Sequence, residues 1–490
     1  MLDQSQTPIL SALQASSRRP HAAFYAPGHK RGQGASPRLR DLLGAAALAA
    51  DLPELPELDN LFAPEGVILE AQELAAEAFG AEQTYFLANG STCGIEAAIL
   101  ATCAPGQKII VPRNAHRSVI AGLVLSGAMP IFVAPEYSAE LGLALGVKAE
   151  AIATTLAHHP DTHAVLLVSP TYHGICSDVG AIASLAHHHG IPLLIDEAHG
   201  PHFAFHPDLP APALALGADL VVQSTHKVLG ALSQAAMLHT KGDRVDRDRL
   251  QAALQLTQST SPNSLLLASL DAARNQMATE GKALLSNTLT LAQHMRMELA
   301  TVFNLRVIDK PAVTAFSSAS DLDLTRLTVD VSGLGLTGLE ADEILHEELG
   351  VTVELPELRH LTLIVSLGNT TEDGQRCIAG FQSLAKSCAN QRSTVATCAQ
   401  SSVLDSANAS FTLPQVSPRE AFFAPTETVG IEAAVGRISA DTISAYPPGI
   451  PTIVAGEVIG EGAIAHLTAI KQQGGYVTGG NAPEAFRVLA

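Results

Sequence analysis

Residues 191–200 read IPLLIDEAHG, and residues 218–227 read ADLVVQSTHK. Each is an apolar run of strand length that ends in groups able to do chemistry: Asp196-Glu197-Ala198-His199-Gly200 in the first, Ser224-Thr225-His226-Lys227 in the second. Working outward, the chain from Thr84 to about Thr240 repeats the pattern. The runs TYFLAN, KIIVP, MPIFVA, HAVLLVS, IPLLIDE, ADLVVQS and AAMLHT alternate with helix-length stretches over 92–103, 116–126, 147–157 and 178–189. That alternation predicts a parallel sheet covered by helices, and the seven runs make one large α/β domain over 81–305. Open sheets of this kind bind ligands at the C-terminal ends of their strands, where both quoted runs stop.

The rest of the chain sets bounds. It has 490 residues and a formal net charge of −19, from 48 acids against 29 Lys plus Arg. At roughly 100–200 residues per domain the length allows two to four domains. The acidic balance argues against nucleic acid, whose phosphates need clustered Lys and Arg, and suits a cationic partner or none. Cys93, Cys103, Cys176, Cys377, Cys388 and Cys398 match neither a zinc spacing nor a disulfide framework, which fits a reducing cytoplasm. The first 22 residues hold an early acid and no apolar core of a secretory signal. No apolar stretch approaches the ~18 residues of a membrane span. Before the large domain lies an N-terminal segment, 1–80. Residues 250–303 have helical spacing and read as a long connection, followed by a smaller α+β unit over 306–386 (RLTVDVSG, LEADEILHEELG, VTVEL, LTLIVSLG). Residues 387–410 read as a polar linker, and 411–490 as a C-terminal domain.

Three strand ends of the large domain suggest one cofactor. Asp196 and Lys227 close two strands, and TYFLAN runs into Asn89-Gly90-Ser91-Thr92 and a helix, where amides and the helix dipole attract a phosphate. Pyridoxal phosphate asks for these groups together: an amine for its aldehyde, a carboxylate to keep its ring nitrogen protonated, and hydroxyls at a helix N-terminus. Singly, each has a plainer reading, as a solvated loop lysine, a helix cap or an N-cap. Their joint placement favours the cofactor.

At these residues the chain resembles the pyridoxal-phosphate-dependent ornithine/lysine/arginine decarboxylases of the aspartate aminotransferase fold (type I). The resemblance rests on PGHK at 27–30, LDNLFAPEGVILEAQELAAEAFGAEQTYFLANGSTCG, RNAHRS at 113–118, SPTY at 169–172, DEAHG, STHK, VSGLGLTG and YPPGIP at 446–451. STHK with DEAHG carries the cofactor chemistry; YPPGIP and LDNLFAPEG carry the decarboxylase family. The resemblance implies that Lys227 forms the Schiff base and Asp196 pairs with the ring nitrogen. His116 would stack on one ring face and Ala198 touch the other. Ser91, Thr92 and Ser224 would hold the phosphate, His199 and Thr171 would orient ring or substrate, and His226 would return a proton to Cα. No metal is implied.

The family relation also implies decarboxylation of a basic L-amino acid, arginine to agmatine first, in polyamine biosynthesis, with lysine and ornithine as alternatives. PGHK begins at Pro27, which leaves no room for the flavodoxin-like wing domain of the larger members, so the chain resembles the compact biosynthetic arginine decarboxylases. The distal cation needs acids, and Asp59, Glu65, Glu354 and Glu457 lie in family-like motifs, Glu457 foremost. A homodimer with shared active sites is expected. An aminotransferase or lyase of the same fold is the competing enzyme, with Arg437 or Arg359 as its carboxylate partner; loss of Lys227 or Asp196 would have marked a non-catalytic relative. Two features are read as structural. Gly333, Gly335 and Gly338 form a literal G-x-G-x-x-G, but too few βαβ units follow for a dinucleotide domain, so they read as a tight turn. The runs His158-His159 and His187-His188-His189 read as helix ends rather than metal ligands.

Overall fold

The computed structural model describes residues 1–391, 414–446, 450–472, 475–480 and 482–490. Pro447, Pro448 and Gly449 of the YPPGIP motif, Cys398 and residues 392–410 of the expected linker lie outside them. The described chain forms two compact units, Met1–Ala101 with Leu194–Leu285, and Thr102–Leu193 with Ser286–Ala490.

All seven apolar runs are strands: Gln83–Leu87, Lys108–Pro112, Met129–Val133, Thr162–Val168, Leu193–Asp196, Leu220–Gln223 and Ala236–Thr240. The expected helices are Gly90–Thr102, Arg117–Ser126, Ala149–His158 and Val179–His188. In the first unit Leu193–Asp196 pairs parallel with Leu220–Gln223, with Asp196 opposite Val222. In the second, Lys108–Pro112 pairs parallel with both Met129–Val133 and Thr162–Val168. One strand reverses: Ala236–Thr240 runs antiparallel to Leu220–Gln223 and to Gln83–Leu87. The connection explains it. Residues 224–235 hold only the one-turn helix Thr225–Val228, without the long helical crossover that joins parallel neighbours.

The expected helical connection is Arg247–Thr257 followed by the 37-residue helix Ser264–Ala300. In the second unit a four-stranded antiparallel sheet has the order Arg306–Val307, Arg326–Asp330, His360–Ile364, Leu355–Pro356. Helices Gly338–Glu347 and Thr371–Gln391 cover it through Leu345, Ile378, Phe381 and Leu384. VTVEL contributes only Leu355 to the strand; Val351 turns into the core instead. The helix Thr371–Gln391 also runs into the start of the expected 387–410 linker. The Gly-rich run makes a turn, as read. Ser332–Leu334 is a short 3-10 helix ended by Gly335 at φ +80°, and a Cβ at Gly338 would meet the carbonyl oxygens of Glu357 and His360 at 2.2 and 2.5 Å. The histidine runs do close Ala149–His158 and Val179–His188. Towards the C-terminus, Ile443–Tyr446 pairs with Ile450–Ile453 and Tyr476–Thr478 around a core with Ile464, Leu467 and Phe486. Among the described residues no helix is long and apolar enough to cross a membrane.

A buried ion pair holds the start of the chain. Asp271 on the long helix accepts from Arg274 Nη2 at 2.5 Å and from the backbone N–H of Ile9 and Leu10 at 2.9 and 3.3 Å; neither side chain of the pair is exposed. Asp271→Ala strands the guanidinium and removes the acceptor for the first helix, Pro8–Ser17. Chemical denaturation should record a loss of about 3–5 kcal/mol, the cost of breaking a buried pair from one side.

Candidate active site

The strand Leu220–Gln223 ends at Ser224, and Thr225–Val228 coils into a single turn that carries Lys227. Its neighbour ends at Asp196, 5% exposed, whose Oδ1 accepts from the Ala198 N–H at 3.2 Å. The parallel register sets the two strand ends side by side. Beyond Asp196 the Gly200 N–H closes a turn on the Glu197 carbonyl at 2.9 Å, and His199 on that turn places Nε2 2.9 Å from Lys227 Nζ. Both groups therefore sit within one hydrogen bond. The neighbouring His226 is half-buried; burial first, and then the Lys227 charge, hold its ring below the ordinary imidazole value.

The hydroxyl side is built by the edge strand. Gln83–Leu87 leads through Asn89 into Gly90, whose φ of +80° turns the chain straight into the helix Gly90–Thr102. Ser91 and Thr92 occupy its first turn, and Ser224 Oγ donates to Ser91 Oγ at 2.7 Å. Thr225 Oγ1 is fully buried and has no hydrogen-bond partner among the described residues. An amine, a buried carboxylate and hydroxyls at a helix N-terminus thus lie in one unit. That donor set fits an aldehyde cofactor bearing a phosphate.

Two site residues escaped the sequence reading. Gln234 has a left-handed φ of +83° and donates from Nε2 to the Ala88 carbonyl at 2.5 Å, bracing the turn before Gly90. Gly94 lets the helix lie close, since a Cβ there would meet Leu87 Cδ1 at 2.7 Å and Val222 Cγ1 at 2.9 Å. Glutamine before a strand carries no sequence signal; the glycine in NGSTCG could have been read as a packing contact.

His116 and Thr171 belong to the other unit. His116 caps the helix Arg117–Ser126, its ring nitrogen accepting from the Ser118 N–H at 3.2 Å. Thr171 is buried and closes the hairpin to Ile175, its Oγ1 accepting from the Ile175 N–H at 3.3 Å.

The four acids divide by what they already hold. Asp59 accepts from the backbone N–H groups of Asn60, Glu65, Gly66 and Ile68, fixing the loop before helix Val67–Phe79. Glu65 and Glu354 are exposed. Glu457, the acid expected foremost at the distal cation, already holds a cation of the protein. Its Oε2 takes Arg113 Nη2 and the Val454 N–H, both at 2.8 Å, with both side chains of the ion pair nearly fully buried. A charge that deep needs its counter-charge inside the protein, so the arginine claims it. The two arginines of the aminotransferase reading are likewise engaged, Arg437 with Glu427 at 2.7 Å and Arg359 with Asp330 at 2.6 Å.

Comparison with known proteins defines the class. The model of the Orn/Lys/Arg decarboxylase major domain matches residues 7–373, and that of the C-terminal domain matches residues 399–479. The arginine decarboxylase of Bacillus subtilis (strain 168) is 39% identical over 471 residues, 95% of this chain and 94% of that protein. The constitutive lysine decarboxylase of Escherichia coli (strain K12) is 25% identical, over 94% of this chain and 76% of that protein. Among solved structures, lysine decarboxylase LdcF of Francisella novicida superposes with a TM-score of 0.83 at 23% identity, covering 99% of this chain and 81% of that one. The fold is that of these type I decarboxylases, and the chain belongs to the Orn/Lys/Arg decarboxylase family.

Removing one side of the Arg113–Glu457 pair leaves the other buried without its counter-charge. Glu457→Ala should lower stability by about 3–5 kcal/mol in urea titration. A variant that keeps full stability and loses only substrate affinity would return Glu457 to the substrate.

Proposed function

We propose that this chain decarboxylates a basic L-amino acid with pyridoxal 5'-phosphate, arginine to agmatine and carbon dioxide first of all. The observation that carries the chemistry is the Lys227 amine on a strand end, 2.9 Å from His199 and beside the strand that ends in buried Asp196. The choice of arginine rests on the 38–39% identical relatives that bear that name, and lysine is the alternative because the more distant relatives are lysine decarboxylases.

When bound, the cofactor supplies an electron-poor ring that accepts the electron pair released as carbon dioxide leaves. The protein's part is to hold and orient. Lys227 would give the amine that anchors the aldehyde. Asp196, sheltered from water, would keep a proton on the ring nitrogen. Ser91, Thr92 and Ser224 would hold the phosphate with the dipole of the helix Gly90–Thr102 behind them. Ala198 and His199 would line the ring from the turn after Asp196, with His116 and Thr171 assigned to the opposite ring face and to orientation. His226 is assigned the proton returned to Cα. Its depressed pKa favours that step at lower pH, because the ring then carries the proton to give.

We further propose that the chain divides into the N-terminal segment, large, small and C-terminal domains read from its sequence, and that it acts in the cytoplasm as a homodimer with shared sites. The N-terminal part supports the dimer. Phe24 and Leu42 are 95% and 79% exposed, and Leu48 is the only buried residue of the helix Pro37–Ala50.

Two measurements test this. Pyridoxal phosphate should give the protein a visible absorption band and arginine-dependent agmatine by mass spectrometry, and Lys227→Ala should lose both. A Lys227→Ala protein with undiminished turnover would overturn the assignment. Light scattering should give twice the chain mass; a fully active monomer would defeat the shared site.

A further inference from the structure

A row of buried polar side chains crosses three strands of the first unit and ends at Glu197, just past a fourth, beside the site, and no step above uses it. Thr84 Oγ1 lies 2.8 Å from His239 Nδ1, His239 Nε2 lies 3.1 Å from Gln223 Oε1, and Gln223 Nε2 lies 2.7 Å from Glu197 Oε2. Each of the four residues is at most 4% exposed, and the His239 ring stacks on Phe79 at 4.7 Å. The strand register builds the row, since Thr84 stands opposite His239.

The row has a direction. Once ionised, above its pKa of about 8, Glu197 only accepts, so the Gln223 amide then turns its NH2 to Glu197 and its oxygen to His239. His239 must then carry its proton on Nε2, leaving Nδ1 to accept from the Thr84 hydroxyl. Burial keeps this ring neutral, with a pKa of about 3. Every donor points towards Glu197.

Glu197 uses all its polar groups. Its N–H donates to the Val222 carbonyl at 2.9 Å, its carbonyl accepts from the Gly200 N–H at 2.9 Å, and its second carboxylate oxygen accepts from the Ala213 N–H at 2.8 Å. The Gly200 bond closes the turn that holds Ala198 and His199. Adjacent strand residues face opposite sides of a sheet, so the row through Gln223 fixes from behind the strand end that bears Ser224 in front.

We infer that Glu197 is a positioning residue for the cofactor site: anchored by Gln223 and Ala213, it holds the 197–200 turn in the shape that presents Ala198 and His199. The inference rests on the decarboxylase reading above. Other groups facing the carboxyl are neutral, the Gln223 amide and the Ala213 N–H, and burial lifts Glu197 to about 8.

Glu197→Gln is the test, because the fixed Ala213 donor claims the amide oxygen and leaves an NH2 facing Gln223. Gln223 must rotate, and His239 must move its proton to Nδ1 to donate to Thr84. Nitrogen-15 spectra of histidine-labelled protein, taken without cofactor at about pH 9 so that wild-type Glu197 is ionised, should show Nε2–H in wild type and Nδ1–H in the variant. In absorbance titrations at the same pH of about 9, Glu197→Gln should bind pyridoxal phosphate about tenfold more weakly, roughly the share of one charge-assisted hydrogen bond. Thr84→Val, which leaves every bond of Glu197 intact, should stay within about twofold. If Glu197→Gln does not fold, Gln223→Leu replaces it, with the same loss expected. Wild-type cofactor affinity in a folded Glu197 or Gln223 variant overturns the proposal. So does an equal loss in Thr84→Val, which would mark general destabilisation. A wild-type protein that forms no absorption band defeats the decarboxylase reading instead, while the tautomer experiment still judges the row.

Discussion

The parallel pairing of Leu193–Asp196 with Leu220–Gln223 is the constraint on which the site depends. Backbone hydrogen bonds, rather than side-chain contacts, set Asp196 against Val222, and Lys227 follows five residues after Val222 on a single helical turn. A slip of one residue would flip every side chain to the other face and carry the carboxylate away from the amine's side. The apolar runs LLID and LVVQ bury all their residues, which makes such a slip expensive.

Charge placed inside this protein is spent on architecture. Arg113 with Glu457, Asp271 with Arg274, and Asp323 with Arg326 are pairs with almost no exposed surface. Buried pairs of this kind specify an arrangement more than they stabilise it, since each ion gives up its hydration. The net charge of −19 adds at most a weak field that draws a cationic amino acid towards the protein. Under the proposed reading, selection of arginine would come from carboxylates near the bound substrate, and Glu457 already holds Arg113.

Strand positions, and the placement of Asp196, Ser224 and Lys227 at or just past strand ends, are legible in the sequence because both depend on local pattern. Seven apolar runs, a helix after NGST and a lysine after a strand state themselves within a few residues. What the sequence concealed depends on distance in the chain. The pairing of Glu457 with Arg113 joins residues 344 apart, and the row from Thr84 to Glu197 crosses strands that no motif connects. The reversed strand Ala236–Thr240 was hidden for another reason: its apolar pattern is the same in either direction, and only the short 224–235 connection betrays the antiparallel return. The VTVEL run has a strand-like pattern, yet only Leu355 joins the sheet, because burial of Val351 needs no ladder.

Release of labelled carbon dioxide from carboxyl-labelled arginine, lysine, ornithine and a neutral amino acid, with pyridoxal phosphate present, tests the account most directly. Arginine should be decarboxylated fastest and the neutral amino acid left untouched. Release from none of the three basic amino acids would contradict the function argued here.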